Sequence, residues 1–332
     1  MLPTFSSTFT QCFPPAPDFV EKDVPDLTGK VYIVTGATSG VGRELARILY
    51  SKNATVYLAA RSESDTIRQI KQSEPRSTGT LVFLPLDLAD LKSVKAAAQR
   101  FLAAETKLHV LFNNAGVMTA DGGVDGMVEK TAQGYEKQLG VNCLGPFLFT
   151  KLLMPVLLAT AADQGTHTHE VRVVFVSSLG AEVYHEKEIG IDLDNLDYHD
   201  PKPSLYRYGI SKVGVWAHGN EFNKRFAAKG VLGVPVNPGN LRTELFARQS
   251  FLLRLQVALM HYPAVKGAYT ELFAGFSPEV TPETASGYVF PFGRLCSICE
   301  ELRRAAKPED EGGADLTRRF WEWSEKEVEP FS

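Results

Sequence analysis

The sequence predicts an α/β fold, a single doubly wound parallel sheet with helices on both faces. Short apolar runs rich in β-branched residues, which are typical of buried parallel strands, alternate with segments of helical periodicity. The runs cover 31–35, 54–60, 80–86, 108–113, 171–177 and 231–236. A glycine-rich turn directly after the first run is a further indication of such a sheet. Right-handed crossovers between successive β-α units place helices on both of its faces.

The segments between the runs have the spacing of amphipathic helices. After the first run, Val41, Leu45, Ile48 and Leu49 recur at helical intervals and form one apolar face. The later helices are predicted over 64–74, 90–104, 129–160 and 207–229. Six strands and their intervening helices are enough for one large domain.

We expect that domain to cover 29–300, between a Pro- and Ser-rich N-terminal arm over 1–28 and a charged helical tail over 301–332. Residues 241–285 interrupt the alternation of strands and helices. Because this segment is apolar and follows the last predicted strand, it is a candidate lid over a substrate, and simple packing is the alternative. Three aromatic residues are candidate anchors of the tail: Phe320, Trp321 and Trp323.

Composition argues against several classes of function. The 332 residues carry a formal net charge of −4 without a basic stripe, so a nucleic-acid partner is not expected. Cys296 and Cys299 lack the second ligand pair of a zinc site, and no metal is predicted. We expect a cytoplasmic protein, because the N-terminus lacks the basic region of a secretory signal. We expect no integral membrane segment, because prolines and a lysine interrupt the apolar stretch from Val141 to Ala162.

The glycine-rich turn predicts a cradle for phosphate groups. Its spacing is Gly36-x3-Gly40-x-Gly42, between a strand and an amphipathic helix. Gly36 permits the turn, Gly40 allows close approach of the backbone to a ligand, and Gly42 lets the helix pack on the sheet. Backbone N–H groups and the helix N-terminus can then bind a pyrophosphate. We interpret the turn as the cofactor edge of a Rossmann-like domain, and an ordinary strand–helix turn is the alternative.

Two arginines favour NADP(H) over NAD(H). An acidic residue at the end of the second strand bonds the ribose of NAD, whereas a cation there accommodates the 2′-phosphate of NADP. In this chain that strand leads into Arg61, and Arg43 lies just past the glycine-rich turn. Glu63 and Asp65 follow slightly later, and either arginine could instead be a solvated surface charge.

A tyrosine and a lysine four residues apart are the candidate proton-transfer groups. Three such pairs occur: Tyr198/Lys202, Tyr208/Lys212 and Tyr262/Lys266. Prolines in or beside the first and third pairs would disturb the helical turn that places both side chains on one face. We therefore select Tyr208 and Lys212, after which the sequence continues without a proline.

Seven motifs in this order resemble those of the short-chain dehydrogenases/reductases with TGxxxGxG spacing. Besides the glycine-rich turn and Tyr208-x3-Lys212, they are Leu86-Asp87-Leu88, Asn113-Asn114-Ala115-Gly116, Val141-Asn142, Val176-Ser177-Ser178 and Asn237-Pro238-Gly239-Asn240-Leu241-Arg242-Thr243. The resemblance covers about 28–245. It implies that Asp87 contacts the adenine and that the motif Asn113–Gly116 borders the cofactor. The loop Asn237–Thr243 would hold the nicotinamide carboxamide.

The resemblance implies four catalytic residues: Ser178, Tyr208, Lys212 and Asn142. Together with the cradle, it indicates as cofactor-binding residues Gly36, Thr38, Ser39, Gly40, Val41, Gly42, Arg43, Arg61, Asp87, Leu88, Asn114, Ala115, Gly116, Tyr208, Lys212, Pro238, Gly239, Leu241 and Thr243. Ser177 adjoins Ser178, and the choice between them rests on the family alignment. Asn142 has an alternative role at a helix kink.

These residue types suit hydride transfer at a C–O bond. Reduction of a ketone needs a hydride on carbon and a proton on oxygen, and the pKa of a free tyrosine, about 10, is too high for efficient exchange at neutral pH. We expect Lys212 and the positive nicotinamide ring to lower the pKa of Tyr208, the general acid in reduction. Ser178 would donate to the carbonyl oxygen. The family implies that Lys212 also bonds the nicotinamide ribose and that Asn142 holds a water that relays protons.

The sequence therefore predicts an NADP(H)-dependent oxidoreductase that interconverts a ketone or aldehyde and the corresponding alcohol. The long interval between Ser178 and Tyr208 is similar to that of retinol dehydrogenase-like and fungal reductases, which act on varied, often apolar, carbonyls and alcohols, and it implies a role in fungal secondary metabolism. Residues 179–206 and 241–285 are expected to shape the pocket, and their aromatic content suggests an apolar small-molecule substrate. A homo-oligomer and a membrane contact through Phe251–Leu259 stay open. The alternatives are a non-catalytic NADP(H)-binding regulatory protein, which the complete Ser-Tyr-Lys set disfavours, and an epimerase or dehydratase, which the glycine spacing disfavours.

Overall fold

The computed structural model of the protein describes residues 5–63, 65–119, 128–242 and 262–332. Its centre is an eight-stranded sheet in the order β3-β2-β1-β4-β5-β6-β7-β8. Neighbouring strands are parallel, except for the antiparallel pair β7 and β8. The strands are β1 (Val31–Thr35), β2 (Thr55–Ala60), β3 (Thr80–Pro85), β4 (Val110–Asn113), β5 (Val171–Val176), β6 (Val231–Val236), β7 (Tyr288–Phe290) and β8 (Arg294–Cys296).

Helices cover both faces of the sheet, and the predicted doubly wound α/β fold is confirmed. One hydrophobic layer packs α4, α6 and α8 against the sheet, and the opposite layer packs α2 and α9. The helices are α1 (Phe5–Cys12), α2 (Gly40–Ser51), α3 (Thr66–Ser73), α4 (Leu91–Ala104), α5 (Lys137–Leu139), α6 (Gly145–Ala161), α7 (Gly180–Tyr184), α8 (Ser204–Phe226), α9 (Ala264–Phe276), α10 (Pro282–Ala285), α11 (Glu300–Ala305) and α12 (Leu316–Val328). Along β1, Ile33 contributes to the first layer and Val34 to the second, as strand alternation requires.

The sheet has two strands more than the six apolar runs predict. β7 and β8 are only three residues long each, too short to give a recognisable strand pattern. β7 extends the parallel sheet beside β6, where Val289 lies opposite Val236, and β8 turns back against it. These strands extend the sheet beyond the loop that follows β6, which is one wall of the candidate site.

The predicted helix over 129–160 was wrong at its beginning. Residues 129–136 form a hairpin with an antiparallel bridge between Lys130 and Glu136, and α5 begins only at Lys137. The Glu136 carboxylate accepts the Leu139 backbone N–H at 2.7 Å, which satisfies one of the free donors at the start of the helix. A π turn over Gly140–Leu144 then joins α5 to α6.

The flanking segments both pack on the domain. The N-terminal arm contains α1, which its Pro- and Ser-rich composition did not predict. In the tail, α12 packs against α8, where the Phe320 ring lies 4.7 Å from the His218 ring and Trp321 packs nearby. Trp323 stacks on Phe320 at 5.5 Å. Phe320 and Trp321 therefore hold the tail against the domain, and Trp323 packs on Phe320 within α12.

The described part of the predicted lid segment, 241–285, is mostly core. α9 buries Ala268, Leu272 and Ala274 against the sheet, which is the packing alternative and not a cover over a cleft. The candidate membrane contact Phe251–Leu259 lies outside the described residues.

One described helical stretch, Lys137–Ala162, is long and apolar enough to cross a membrane. Within its most apolar window, 72% of the residues are buried inside the protein. The stretch comprises α5, the π turn and α6, which pack on the sheet. This burial is typical of the core helix of a globular protein.

Candidate active site

A cleft of about 970 Å³ lies along the carboxyl ends of the parallel strands. It includes the point between β1 and β4 where the strand order reverses, the usual ligand site of an open α/β sheet. Of the predicted site residues, the cleft is lined by Gly36, Thr38, Ser39, Gly40, Val41, Arg61, Asp87, Leu88, Asn114, Ala115, Gly116, Ser178, Tyr208, Lys212, Pro238, Gly239 and Leu241. Gly42, Arg43 and Asn142 lie behind or beside it, and Thr243 lies outside the described residues.

The glycine-rich turn joins β1 to α2 in the way that its spacing predicts. Gly36 and Gly40 have φ angles of +68° and +52°, in the left-handed region that glycine adopts without a steric penalty. α2 begins at Gly40, so the unpaired N–H groups of its first turn belong to the wall of the cleft. The positive end of the helix dipole at this point favours an anionic ligand.

Gly42 contributes packing instead of a contact with the cleft. A Cβ atom there would lie 2.5 Å from Asn114 Nδ2 and 2.6 Å from the Gly36 carbonyl oxygen. Asn114 Nδ2 itself donates to the Thr35 carbonyl oxygen at 2.8 Å, and the Thr35 hydroxyl accepts the Ala115 N–H at 2.9 Å. The close approach at Gly42 thus joins the glycine-rich turn to the loop after β4.

We expect Gly42→Ala to lower both the thermal stability and the nucleotide affinity of the protein. The added methyl group must displace one of the two loops, and such overpacking typically costs about 1–3 kcal/mol. Thermal unfolding and nucleotide titration measure the two effects. Gly165→Ala, in an exposed loop, is the matched control, and equal behaviour of the two variants would contradict the packing role.

The two arginines that favour NADP(H) differ in position. Both are exposed, but only Arg61 lines the cleft. Arg43 lies on the protein surface outside the cleft lining, where its guanidinium lies 3.4 Å from Gln69 Oε1 and 3.7 Å from Glu44 Oε1. Asp65, the nearby acid that could have favoured NAD(H), forms an ion pair with Arg68 at 2.7 Å. Arg61 is therefore the better-placed cation of the two.

Tyr208 and Lys212 lie on one face of α8 at the cleft, and both side chains are more than nine-tenths buried. Lys212 Nζ lies 5.6 Å from the centre of the Tyr208 ring and donates to the Val176 carbonyl oxygen at 2.8 Å. Burial lowers the pKa of Lys212 to about 8, because desolvation penalises the ammonium. The lysine therefore keeps its charge at neutral pH.

The pKa of Tyr208 departs from the sequence prediction. Burial raises it to about 12, and a hydrogen bond with Ser178 opposes this rise. Removal of the phenolate from water outweighs the effect of the nearby ammonium, whose contact is with the Val176 carbonyl. The positive nicotinamide ring, to which the sequence prediction assigned part of the lowering, is a property of the complex with cofactor. The protein alone therefore holds a protonated phenol beside Ser178.

The other two Tyr-x3-Lys pairs are absent from the residues that line this cleft. Tyr198 has a φ of +56°, and Lys202 forms an ion pair with Asp200 at 2.7 Å. Lys266 Nζ lies over the Tyr262 ring at 5.0 Å from its centre. The prolines therefore distinguished Tyr208/Lys212 from the other two pairs, as predicted.

Ser178 and Ser177 have different surroundings. The Ser178 hydroxyl accepts the Gly180 backbone N–H at 3.1 Å, at the start of α7. The Ser177 hydroxyl instead donates to the Lys212 carbonyl oxygen at 2.6 Å, which joins the end of β5 to α8. This geometry agrees with the choice of Ser178 as the reacting hydroxyl and gives Ser177 a role in structure.

Asn142 lies in the π turn, and both ends of its side-chain amide are hydrogen-bonded. Its Oδ1 accepts the Val117 N–H at 2.8 Å, and its Nδ2 donates to the Val117 carbonyl at 3.1 Å and to the Ser211 hydroxyl at 2.9 Å. A Cβ atom on Gly116 would lie 3.4 Å from Asn142 Oδ1 and 3.3 Å from Lys212 Nζ. The amide therefore joins the loop after β4 to α8 close to the lysine.

Four residues near the site escaped the sequence analysis because no local pattern marks them. Tyr288 in β7 donates its hydroxyl to the Ser178 carbonyl at 2.9 Å. Gln11 in α1 contacts Glu182 in α7, just after the serine motif. Glu271 in α9 is fully buried, and neither of its carboxylate oxygens has a hydrogen-bond partner among the described residues. Each belongs to an element that the motifs do not include.

Comparison with known proteins agrees with this architecture. The family model described as short chain dehydrogenase matches residues 30–189. A short-chain dehydrogenase/reductase from Phomopsis amygdali is 48% identical over 336 residues, which cover 99% of this chain and 98% of the relative. The chain belongs to the short-chain dehydrogenase/reductase family, and it is an oxidoreductase of the class that uses NAD(P)H.

Solved structures share the fold at lower identity. A protein described as a 2-deoxy-D-gluconate 3-dehydrogenase from Agrobacterium tumefaciens, with bound NADP, has a TM-score of 0.59 at 21% identity and covers 80% of this chain and 95% of its own. The 3-ketoacyl-(acyl-carrier-protein) reductase of Brucella melitensis, in complex with NADH, has a TM-score of 0.57 at 22% identity and covers 77% and 95%. These likenesses concern the fold, and the two structures contain different dinucleotides.

Proposed function

We propose that the protein is an NADP(H)-dependent reductase of a ketone or aldehyde, which also oxidises the corresponding alcohol. The observation that carries this proposal is the meeting of the Tyr208 phenol, the Lys212 ammonium and the Ser178 hydroxyl in one cleft with the glycine-rich cradle. The residues of the cradle and of the loops after β4 and β6 fit a dinucleotide. When bound, its nicotinamide ring supplies or accepts the hydride.

Tyr208 is the proposed proton donor. Its pKa of about 12 keeps the phenol protonated at neutral pH, so it can protonate a substrate oxygen during reduction. Ser178 donates a hydrogen bond to the same oxygen while negative charge develops there. Lys212 places a positive charge near the phenol, which favours the phenolate that remains after the proton has left.

Asn142 has a proposed positioning role. Its three hydrogen bonds hold the Val117 backbone and Ser211 together beside Lys212. Through these hydrogen bonds, Asn142 keeps the loop after β4 at a constant distance from α8. The water that the family resemblance places at Asn142 stays a prediction.

The lining of the cleft near Tyr208 supports an apolar substrate. Val183 and Leu205 are 43% and 42% exposed although both are hydrophobic, and they share the cleft with Met118 and Leu179. An apolar wall with a few polar groups is the usual composition of a small-molecule site. Burial of Val183 and Leu205 by a bound substrate would add a favourable hydrophobic contribution.

The preference for NADP(H) is tested by Arg61→Asp. We expect the dissociation constant for NADPH to rise about 10- to 100-fold, because a charge-assisted contact with the 2′-phosphate is replaced by repulsion. Affinity for NADH should stay constant or improve. Titration followed by nucleotide fluorescence measures both constants, with Arg43→Asp as the matched control.

A larger loss of NADPH affinity in Arg43→Asp than in Arg61→Asp would assign the contact with the 2′-phosphate to Arg43. Tighter binding of NADH than NADPH by the unmodified protein would contradict the preference and leave the family assignment intact. Failure to bind either nucleotide would contradict both the proposed reductase and the NADP(H)-binding regulatory alternative, and would favour a degenerate, non-catalytic member of the family. A panel of apolar ketones and aldehydes, assayed by NADPH oxidation, then tests the reaction.

A further inference from the structure

One amide side chain of the N-terminal arm bridges two walls of the cleft. Gln11 in α1 is 1% exposed, although Phe9 and Phe13 on either side of it are each 52% exposed. Its Nε2 donates to Glu182 Oε2 at 2.6 Å, and its Oε1 accepts from Asn237 Nδ2 at 2.8 Å. Glu182 belongs to α7, after the serine motif, and Asn237 begins the loop after β6 that carries Pro238.

Each partner of Gln11 also accepts a backbone N–H group. Asn237 Oδ1 accepts the Gly239 N–H at 3.0 Å, in a loop where Gly239 has a φ of +99°. Glu182 Oε1 accepts the Cys299 N–H at 2.7 Å. The chain of hydrogen bonds therefore runs from the candidate nicotinamide loop, through the arm, to the helix that begins two residues after Ser178.

The chemistry of this position selects glutamine. Gln11 must accept from an amide and donate to a carboxylate at once, which a neutral amide can do and an ionised carboxylate or an apolar side chain cannot. Glu182 is fully buried, and burial raises the pKa of its carboxyl while the bonds from Gln11 and Cys299 lower it. The arm is held by a second contact, from Arg294 Nη2 to the Thr10 carbonyl oxygen at 2.7 Å.

We propose that Gln11 is a positioning residue of the active site, and that α1 acts as a clamp that sets the separation of α7 and the Asn237–Gly239 loop. The clamp acts through Asn237 and Glu182 on the backbone that flanks the nicotinamide position and Ser178. For its kinetic consequences the inference rests on the proposed function. Its structural consequence, the ordering of two loops by the arm, is independent of that function.

The structural consequence is tested first, by hydrogen exchange of the backbone without any ligand. In Gln11→Leu, which can neither donate nor accept, we expect faster exchange in peptides that cover 180–184 and 237–242. Asn223→Leu is the matched control, because it removes a buried amide that donates to the Pro282 carbonyl at 2.8 Å away from the cleft. Unchanged exchange in both peptides of Gln11→Leu would overturn the clamp, whatever the protein catalyses.

The nucleotide readout uses Gln11→Glu, which is similar in size and tests the donor specifically. At about pH 8 two carboxylates would face each other, and at about pH 5.5 they can share a proton and restore the bond. We expect NADPH affinity about 10-fold below the unmodified protein at the higher pH and close to it at the lower pH, as for the loss and recovery of one buried hydrogen bond. An equal loss at both values would assign Gln11 to stability alone and overturn the positioning role.

The other titratable groups around Glu182 do not produce the same pH dependence of NADPH affinity. Burial raises the pKa values of Cys296, Cys299 and Tyr288, so these groups stay neutral over the interval. The Arg294 guanidinium contacts the Thr10 carbonyl oxygen. His185, at the end of α7, has a pKa lowered by burial and forms a pair with Glu301 at 2.6 Å. Its titration occurs in the unmodified protein as well, so the ratio of affinities at each pH removes it.

Discussion

Tyr208→Phe is expected to reduce turnover by a factor on the order of 10²–10⁴, the usual contribution of a positioned proton donor. The substitution removes one oxygen atom from a side chain that is 7% exposed and leaves the ring against α8. Substrate oxygen would then develop charge without the proton that completes the reduction. Steady-state NADPH oxidation with an active carbonyl substrate measures the loss.

The specificity of this effect depends on two controls. NADPH affinity should stay close to that of the unmodified protein, because the cradle at Gly36–Gly42 and Arg61 is unchanged. Tyr262→Phe alters a tyrosine in the same sequence pattern that lies outside the cleft lining and should keep full turnover. Normal turnover by Tyr208→Phe would refute the proposed proton transfer, and a parallel loss in Tyr262→Phe would attribute the effect to folding.

The parts of the fold that the sequence predicted are those with a repeating physical signal. Six strands and the helices between them follow from apolar periodicity, because each buried element must carry its own pattern. The glycine-rich turn was predictable for a different reason, since φ angles of +68° at Gly36 and +52° at Gly40 favour glycine at those positions. Selection of Tyr208 over Tyr198 and Tyr262 needed only the helix-breaking geometry of proline.

What the sequence did not predict depends on contacts between distant segments. Gln11 and Glu182 are 171 positions apart, and neither lies in a motif that marks its partner. The hairpin over 129–136 is closed by an antiparallel bridge between Lys130 and Glu136, and a search for helical periodicity does not detect such a pairing. The raised pKa of Tyr208 in the protein alone could not be predicted, because a sequence shows the neighbouring Lys212 but not the depth of burial, and the lowering expected with the nicotinamide ring bound stays a prediction.

Glu271 is the second site with a large expected effect. Its carboxyl is fully buried in α9 and has no hydrogen-bond partner among the described residues. Burial raises its pKa to about 8, and the charge of Lys212 opposes the rise. An isolated ionised carboxylate in such a place is very costly, so the group is neutral at pH 7. Such a group gives the stability of the protein a definite dependence on pH.

The sign of that dependence follows from proton linkage. Between about pH 4.5 and about pH 8 the folded protein keeps a proton on Glu271 that the unfolded chain releases. Stability is therefore greatest at the acid end and falls by about 1.4 kcal/mol per pH unit from this group alone. Lys212 contributes almost no slope there, because its folded pKa of about 8 lies at the upper limit of the interval. His109 acts in the opposite direction, because burial lowers its pKa to about 4. Stability therefore rises with pH as the histidine of the unfolded chain loses its proton.

Glu271→Gln removes the group and keeps its shape, so the difference from the unmodified protein isolates its contribution from that of His109. We expect little change in the thermal unfolding midpoint near pH 5 and a midpoint above that of the unmodified protein near pH 8, where the gain in stability is on the order of 3–5 kcal/mol. Glu221→Gln is the matched control, because that buried carboxylate bonds Arg225 at 2.9 Å and Thr317 at 2.9 Å, and its loss should lower the midpoint at both pH values. A midpoint for Glu271→Gln that lies below the unmodified protein by the same amount at pH 5 and pH 8 would show that Glu271 is charged and paired in the folded state. Burial would then be offset by Lys212, and the two residues would form an ion pair beneath the cleft.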